Sequence, residues 1–162
     1  MPTTKKPKQR RRRSKVVVQR AAGAAPAAAL LRKYALAAVL PGSQVTLRVV
    51  GAAEGRLLNH TFRKRNYATN VLSFSYDRRH GDVVLCHPVI SREAKEQRKS
   101  LAAHYAHLVV HGLLHLRGHD HARKSDAARM ERREIRILRR LGFGDPYSEP
   151  ASEPASEPAT VK

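Results

Sequence analysis

The sequence predicts an α+β fold: a small mixed β-sheet packed with helices around a central, histidine-bearing helix. Three observations predict it. Short β-patterned segments are interleaved with helix-patterned ones along the whole chain. Two of the β segments are joined by a turn short enough for an antiparallel pair. The most apolar stretch, Leu101 to Leu116, has the length of a buried helix and carries histidines at helical spacing.

Taken in order, Lys15-Val-Val-Val-Gln19 reads as a short strand. Pro26 suits the first turn of a helix from Ala27 to Val39, with Leu30, Leu31, Tyr34 and Leu36 to bury and Pro41-Gly42 to stop it. Gln44 to Val50 alternates as a strand does. Ala52 to about Lys64 returns to helix, with Leu57, Leu58 and Phe62 recurring at helical spacing. Residues 65–70 form a loop before a strand at Val71 to Tyr76, a turn at Asp77 to Gly81 and an apolar strand at Asp82 to Cys86. Pro88 opens a helix to Lys99, and Ser100 caps the central one. Ser125 or Asp126 caps the last helix, which has Met130, Ile137, Leu138 and Leu141 on one side and ends at Gly142.

The folded domain is expected over residues 15–144. A polar, basic arm at 1–14 and a tail at 145–162, where Ser-Glu-Pro-Ala occurs three times, have compositions that cannot build a core and are expected to be disordered. The net charge is +19. Residues 1–20 hold nine Lys/Arg and no acid, and residues 145–162 sum to −3, which leaves about +13 on the middle of the chain. A fold this basic favours a polyanionic partner, with nucleic acid first. A single cysteine, Cys86, excludes an intrachain disulfide framework and fits a reducing cytoplasm. No run of 18 apolar residues exists, so no membrane span is expected. The Ala-rich run after Arg10–Arg13 is interrupted by Pro26 and followed by Arg32 and Lys33, which argues against a targeting segment.

The chemistry concentrates in His111-Gly-Leu-Leu-His115-Leu-Arg-Gly118-His119-Asp120-His121. His111 and His115 stand one helical turn apart on one face. Gly118 allows the backbone to turn, which brings His121 back toward that face. Three imidazoles with a fourth position open describe a catalytic zinc site, here at the C-terminal end of the central helix. One Zn2+ per chain on His111, His115 and His121 is the expectation. His104 and His107 lie near the same stripe and read as core or ligand-supporting residues; Asp120 and His119 are further candidates to support the ligands.

The spacing matches that of the metzincin proteases, in which Glu follows the first histidine as general base. Gly112 stands there instead, which removes the base that peptide hydrolysis requires. A side-chain-free position beside the metal is expected to leave room for a bulky anion such as a phosphodiester. A phosphodiester transition state also wants a fixed cation, and Arg63, in Asn59-His-Thr-Phe-Arg-Lys-Arg65, is the candidate.

The resemblance extends beyond the metal motif. Leu58-Asn59, Phe62-Arg63, Thr69-Asn-Val-Leu-Ser-Phe74, Gly81-Asp-Val-Val84, Arg92-Glu-Ala94, Lys99-Ser100, His104, His107-Leu108, Val110-His-Gly112, Met130-Glu131, Glu134, Ile137-Leu138 and Leu141-Gly142 together resemble the YbeY family of bacterial rRNA-maturation endoribonucleases. The similarity covers roughly residues 44 to 144. It implies a small mixed sheet with helices packed around it. It implies a metal-dependent, single-strand-specific endoribonuclease that processes rRNA, notably the 3′ end of the small-subunit rRNA, and serves ribosome quality control. Its three zinc ligands fall on His111, His115 and His121 and its functional arginine on Arg63. Ala68, Asn66, Ser75 and His119 depart from the family pattern without removing a ligand. Two other readings stand beside it: a non-catalytic ribosome-assembly factor with a structural zinc, and a zinc peptidase, which Gly112 disfavours.

Overall fold

The computed structural model describes residues 12–21, 23–119 and 123–148. Four strands form one mixed sheet: β1 (Lys15–Arg20), β2 (Gln44–Val50), β3 (Val71–Ser75) and β4 (His80–Cys86), in the order β1-β2-β4-β3. β1 runs parallel to β2 and β2 to β4, with Thr46 opposite both Val17 and Asp82. β3 pairs antiparallel with β4, with Phe74 opposite Asp82, as the short connection requires. Between and after the strands come α1 (Ala28–Ala38), α2 (Ala52–Arg63), α3 (His87–Glu96), α4 (Leu101–Leu116) and α5 (Lys124–Arg140).

Alternation along the strands sorts the side chains into two cores. Val45, Leu47 and Val49 of β2, with Val83 and Leu85 of β4, face α1 and α4 in the main core. Leu72, Val84 and Cys86 face the other way, into a smaller cluster under α2. Fully burying a Leu or Val side chain stabilises the fold by about 1.5–3 kcal/mol, so the main core dominates. Gly55 lets α2 approach closely, since a Cβ there would sit 2.8 Å from Cys86 Sγ.

α4 is buried on most sides, against α1, α3, α5 and the sheet. Its N-cap is Ser100, whose hydroxyl accepts from the Ala103 N–H at 3.1 Å. Gly118 (φ +92) and Gly142 (φ +90) take the left-handed conformation that ends α4 and α5.

The differences from expectation have physical causes. α1 buries Leu31, Tyr34, Ala35 and Ala38, leaving Leu30 and Leu36 exposed. The small alanines continue the i, i+3, i+4, i+7 face and let α1 lie close to α4. α3 stops at Glu96, and Arg98 (φ +53) turns the chain. α5 starts at Lys124, one residue before Ser125, so neither Ser125 nor Asp126 is the cap. Asp126 sits in the first turn, where a negative charge favours the helix dipole. Asp145 to Ser148 lie against the domain: Lys99 Nζ donates to the Pro146 carbonyl at 2.5 Å, and the Tyr147 hydroxyl donates to Glu134. The arm at 1–11 and the repeats from 149 onward lie outside the described residues. Among the described residues no helix is long and apolar enough to cross a membrane.

Candidate metal centre and cleft

α4 carries His107, His111 and His115 along one stripe, each one turn from the next. Ring centroids are 6.1 Å apart for His107 and His111 and 4.7 Å apart for His111 and His115. The stripe faces α5, and there Glu134 is fully buried. Its carboxylate accepts from His111 Nδ1 at 2.5 Å, from His107 Nε2 at 3.1 Å and from the Tyr147 hydroxyl. Burial on its own would raise the Glu134 pKa. The hydrogen bonds from His107, His111 and Tyr147 outweigh it and hold the group down at about 2. Glu134 is therefore an anion at neutral pH, and it fixes the proton of His111 on Nδ1.

That tautomer leaves the Nε2 lone pair of His111 directed away from Glu134. His111 Nε2 and His115 Nε2 are 3.2 Å apart. In a tetrahedral site with Zn–N of about 2.0–2.1 Å, two ligand nitrogens stand about 3.3 Å apart. The pair thus has the donor chemistry and the spacing for an edge of such a site. His107, His111 and Glu134 also form a group that can hold a metal ion. The two sets share His111. Glu134 already accepts three hydrogen bonds in the helix interface, whereas His111 and His115 line an open cleft, the side a substrate can reach.

The cleft, about 470 Å³, is lined by Arg63, Thr69, Asn70, Val71, Ser73, Ser75 and the two histidines, with Leu116. It lies between the end of α2, β3 and α4. Arg63 arrives there because α2 is held at its C-terminus. Lys64 adopts φ +59, and the buried Asn59 donates its amide to the Tyr67 carbonyl at 2.7 Å, clasping the loop to the helix. Arg63 is exposed and makes no ion pair among the described residues.

Arg63, His111 and His115, far apart in sequence, thus meet in one cleft. His107 stands one turn back, bonded to Glu134. His119, past the Gly118 turn, is half-buried; burial lowers its pKa, as do Arg133, Arg117, Arg129 and Arg78 around it. It is not part of the cleft wall. Asp120 and His121 lie outside the described residues.

Gly112 requires a correction. It does not open space for an anion. A Cβ there would meet Val83 Cγ1 at 3.0 Å, Ser73 Oγ at 3.1 Å and Val71 Cγ2 at 3.3 Å. The Gly112 carbonyl accepts from the Ser73 hydroxyl at 3.0 Å. Glycine here lets α4 press against β3 and β4, and the sheet takes the space. Residue type alone does not mark Glu134 as a site residue, although it is one of those that carry the family resemblance. Its position was a signal: it falls in the stripe Met130, Glu134, Ile137, Leu138, the one acid on the buried face.

The family model described as Endoribonuclease YbeY matches residues 8–142. This chain belongs to the YbeY endoribonuclease family. Among curated YbeY proteins, that of Aromatoleum aromaticum is 53% identical over 122 residues, covering 74% of this chain and 79% of its own. That of Nitrosomonas eutropha is 51% identical over 121 residues, 73% of this chain and 86% of its own. A Thermotoga maritima protein solved in solution shares the fold, with a TM-score of 0.56 at 20% identity over 82% of this chain and 99% of that one. The YbeY match spans every strand, both ends of the cleft and Glu134, but stops before Tyr147. The hydroxyl that completes the Glu134 cluster therefore lies beyond the matched YbeY stretch.

Proposed function

We propose that this protein is a zinc-dependent, single-strand-specific endoribonuclease that processes rRNA in the cytoplasm. Its setting is the small ribosomal subunit, in 3′-end maturation of its rRNA and in ribosome quality control. The cleft carries this conclusion: an exposed arginine and a pair of imidazoles with nitrogens 3.2 Å apart line the same space. The names of the relatives and a net charge of +19 point to RNA as the polyanion. The nuclease unit takes in residues 15–144 together with Tyr147, whose hydroxyl donates to Glu134, and the basic residues 1–14 precede it.

His111, His115 and His121 would hold the metal. Bound there, zinc supplies a Lewis acid for a phosphoryl oxygen and a water ionised near neutral pH. The chain does the rest. Arg63 binds the phosphate through its fork of N–H groups and meets the charge that builds on its oxygens during the reaction. The wall residues Thr69, Asn70, Ser73 and Ser75 are uncharged, so the phosphate is not repelled. Glu134 holds His111 in one tautomer and one orientation, keeping Nε2 unprotonated toward the cleft.

Metal analysis paired with cleavage of a single-stranded rRNA fragment tests this. Wild type is expected to carry about one zinc per chain, and His115→Ala to lose both metal and cleavage while remaining folded. Arg63→Ala is expected to keep metal and fold and to lose roughly 10²–10³-fold in cleavage rate. Unimpaired cleavage by His115→Ala would sink the metal assignment. Unfolding of His115→Ala would favour a structural zinc instead.

A further inference from the structure

β3 has two faces, and the cleft uses one. Val71, Ser73 and Ser75 line the cleft, whereas Phe74 and Tyr76 line a second groove of about 490 Å³ on the opposite face of the sheet. α2 covers only part of that face, and the groove lies beside it. Its floor is Thr46, Asp82 and Val84, and its sides are Gln19 and Arg48 on one hand and Phe62 on the other.

Two large rings stand out in solvent there: Phe62 is 61% exposed and Tyr76 72%. Phe62 meets Phe74 edge-on, with centroids 5.0 Å apart. Tyr76 is pinned in spite of its exposure, because its hydroxyl donates to Asp82 Oδ2 at 2.7 Å. An exposed ring held in place buries little area and contributes little to folding. It is a preformed surface on which another flat ring can stack. The carboxylates of the groove are engaged: Asp82 by Tyr76, and Glu54 by Arg48 at 2.7 and 3.0 Å. The Arg48 guanidinium is held in turn by Glu54 and Gln19, so what the groove chiefly presents is ring faces.

We propose that this groove is a second RNA site, in which unpaired bases flanking the scissile phosphate stack on Tyr76 and Phe62. The ligand rests on the nuclease reading of the cleft. Continuity supports it: Phe62 precedes Arg63 at the end of α2, and Tyr76 follows Ser75 at the end of β3. β3 is an edge strand, so a nucleic-acid strand leaving the cleft passes round it without crossing the sheet. Charge supports it too. Lys15 opens β1 at the far edge of the sheet yet lines a pocket together with Tyr76, only Ser14 separates it from the Arg10–Arg13 run, and a second copy of a +19 chain would be repelled. Only unpaired bases expose their faces, so the ligand is a single strand.

The test is binding of the full-length protein to a labelled phosphorothioate single strand, which resists hydrolysis, and to a duplex of the same length. Tyr76→Ala is expected to weaken single-strand binding about tenfold, with the duplex unaffected and the salt dependence unchanged, because a stacking ring and no charge is lost. Tyr76→Phe is expected to restore most of the affinity, because it keeps the ring face and loses only the tether to Asp82. Equal single-strand affinity in Tyr76→Ala and wild type overturns the proposal, as does a parallel loss for strand and duplex. A wild-type dimer that Tyr76→Ala turns into a monomer overturns it in favour of a self-interface. Binding is read here, not cleavage. A protein that cuts no RNA, yet loses single-strand affinity with Tyr76, would sink the nuclease reading and leave the groove standing.

Discussion

α4 carries two imidazole–carboxylate pairs, about two turns apart, built from the same groups and put to different use. His104 Nε2 meets Glu93 Oε2 at 2.7 Å, and His111 Nδ1 meets Glu134 Oε1 at 2.5 Å. In the first pair the histidine is sealed, at 3% exposure, and the carboxylate is reachable. In the second the carboxylate is sealed, at 0%, and the histidine opens on the cleft. The ring nitrogen differs as well. His104 spends Nε2 on its partner and leaves Nδ1 buried with no hydrogen bond among the described residues. His111 spends Nδ1 and keeps Nε2, the nitrogen farther from the backbone, toward His115 and the cleft. The chemistry of the pair does not decide its role. What decides is which partner is buried and which nitrogen is used.

The largest effect separating the two should come from Glu134. Removing it takes the shared acceptor from two imidazole N–H groups and the Tyr147 hydroxyl and leaves a hole where a fully buried side chain stood. Glu134→Ala is expected to lose about 3–5 kcal/mol of stability in urea unfolding. Glu134→Gln keeps the shape and part of the hydrogen bonding but not the charge. It is expected to remain folded and to bind metal roughly 10–100-fold more weakly in a competition titration. Metal affinity equal to wild type in Glu134→Gln would erase the distinction between the pairs.

A smaller effect is expected at the sealed pair. Glu93 also accepts from Asn70 Nδ2 at 3.2 and 3.1 Å, and Asn70 caps the start of β3 by accepting from the Val71 N–H at 2.7 Å. Glu93→Ala is expected to lose about 1–3 kcal/mol, the penalty for leaving a buried donor unsatisfied. Metal affinity in the same titration should stay at the wild-type value. A Glu93→Ala protein that binds metal as poorly as Glu134→Gln would mean that both pairs serve the site.

Much of this contrast was invisible in the sequence, for physical reasons. α4 itself was legible because an apolar run of that length with histidines at helical spacing has one compact solution. Spacing puts His111 and His115 on one face, but nothing in the charge alone sets Arg63 apart from the other arginines; it is the resemblance that marks it, and the fold that brings it to the same cleft. Glu134 was hidden because an acid on an arginine-rich helix normally sits in solvent beside its neighbours; only its register with Met130, Ile137 and Leu138 marks it as buried. Tyr147 was hidden by composition, standing one residue before the Ser-Glu-Pro-Ala repeats. Gly112 misled because a missing side chain says that something approaches closely, but not whether it is substrate or sheet. Leu57 and Phe62 fit a helical pattern, yet both stay exposed, since α2 buries itself mainly through Gly55, Leu58 and Asn59.

The smallest effect is a pH dependence that belongs to the sealed pair. Burial lowers the His104 pKa from its ordinary 6.5; the hydrogen bond and charge of Glu93 push it back up, and His107 and Lys99 push it down. The net shift is downward, so the folded state holds this ring neutral where the unfolded chain would protonate it. The stability this supplies is present above pH 6.5 and is lost as pH falls through the lowered value. Glu93→Gln removes the charge that raises the pKa, so the folded value drops further and the loss on acidification becomes steeper. Urea unfolding of the metal-free protein between about pH 8 and pH 5 should therefore show a larger fall for Glu93→Gln than for wild type. Other buried histidines such as His87, whose pKa burial also lowers, are common to both proteins and cancel in the difference. Parallel curves would mean that Glu93 acts on His104 through shape alone, and the two pairs on α4 would then differ in electrostatics as well as in exposure.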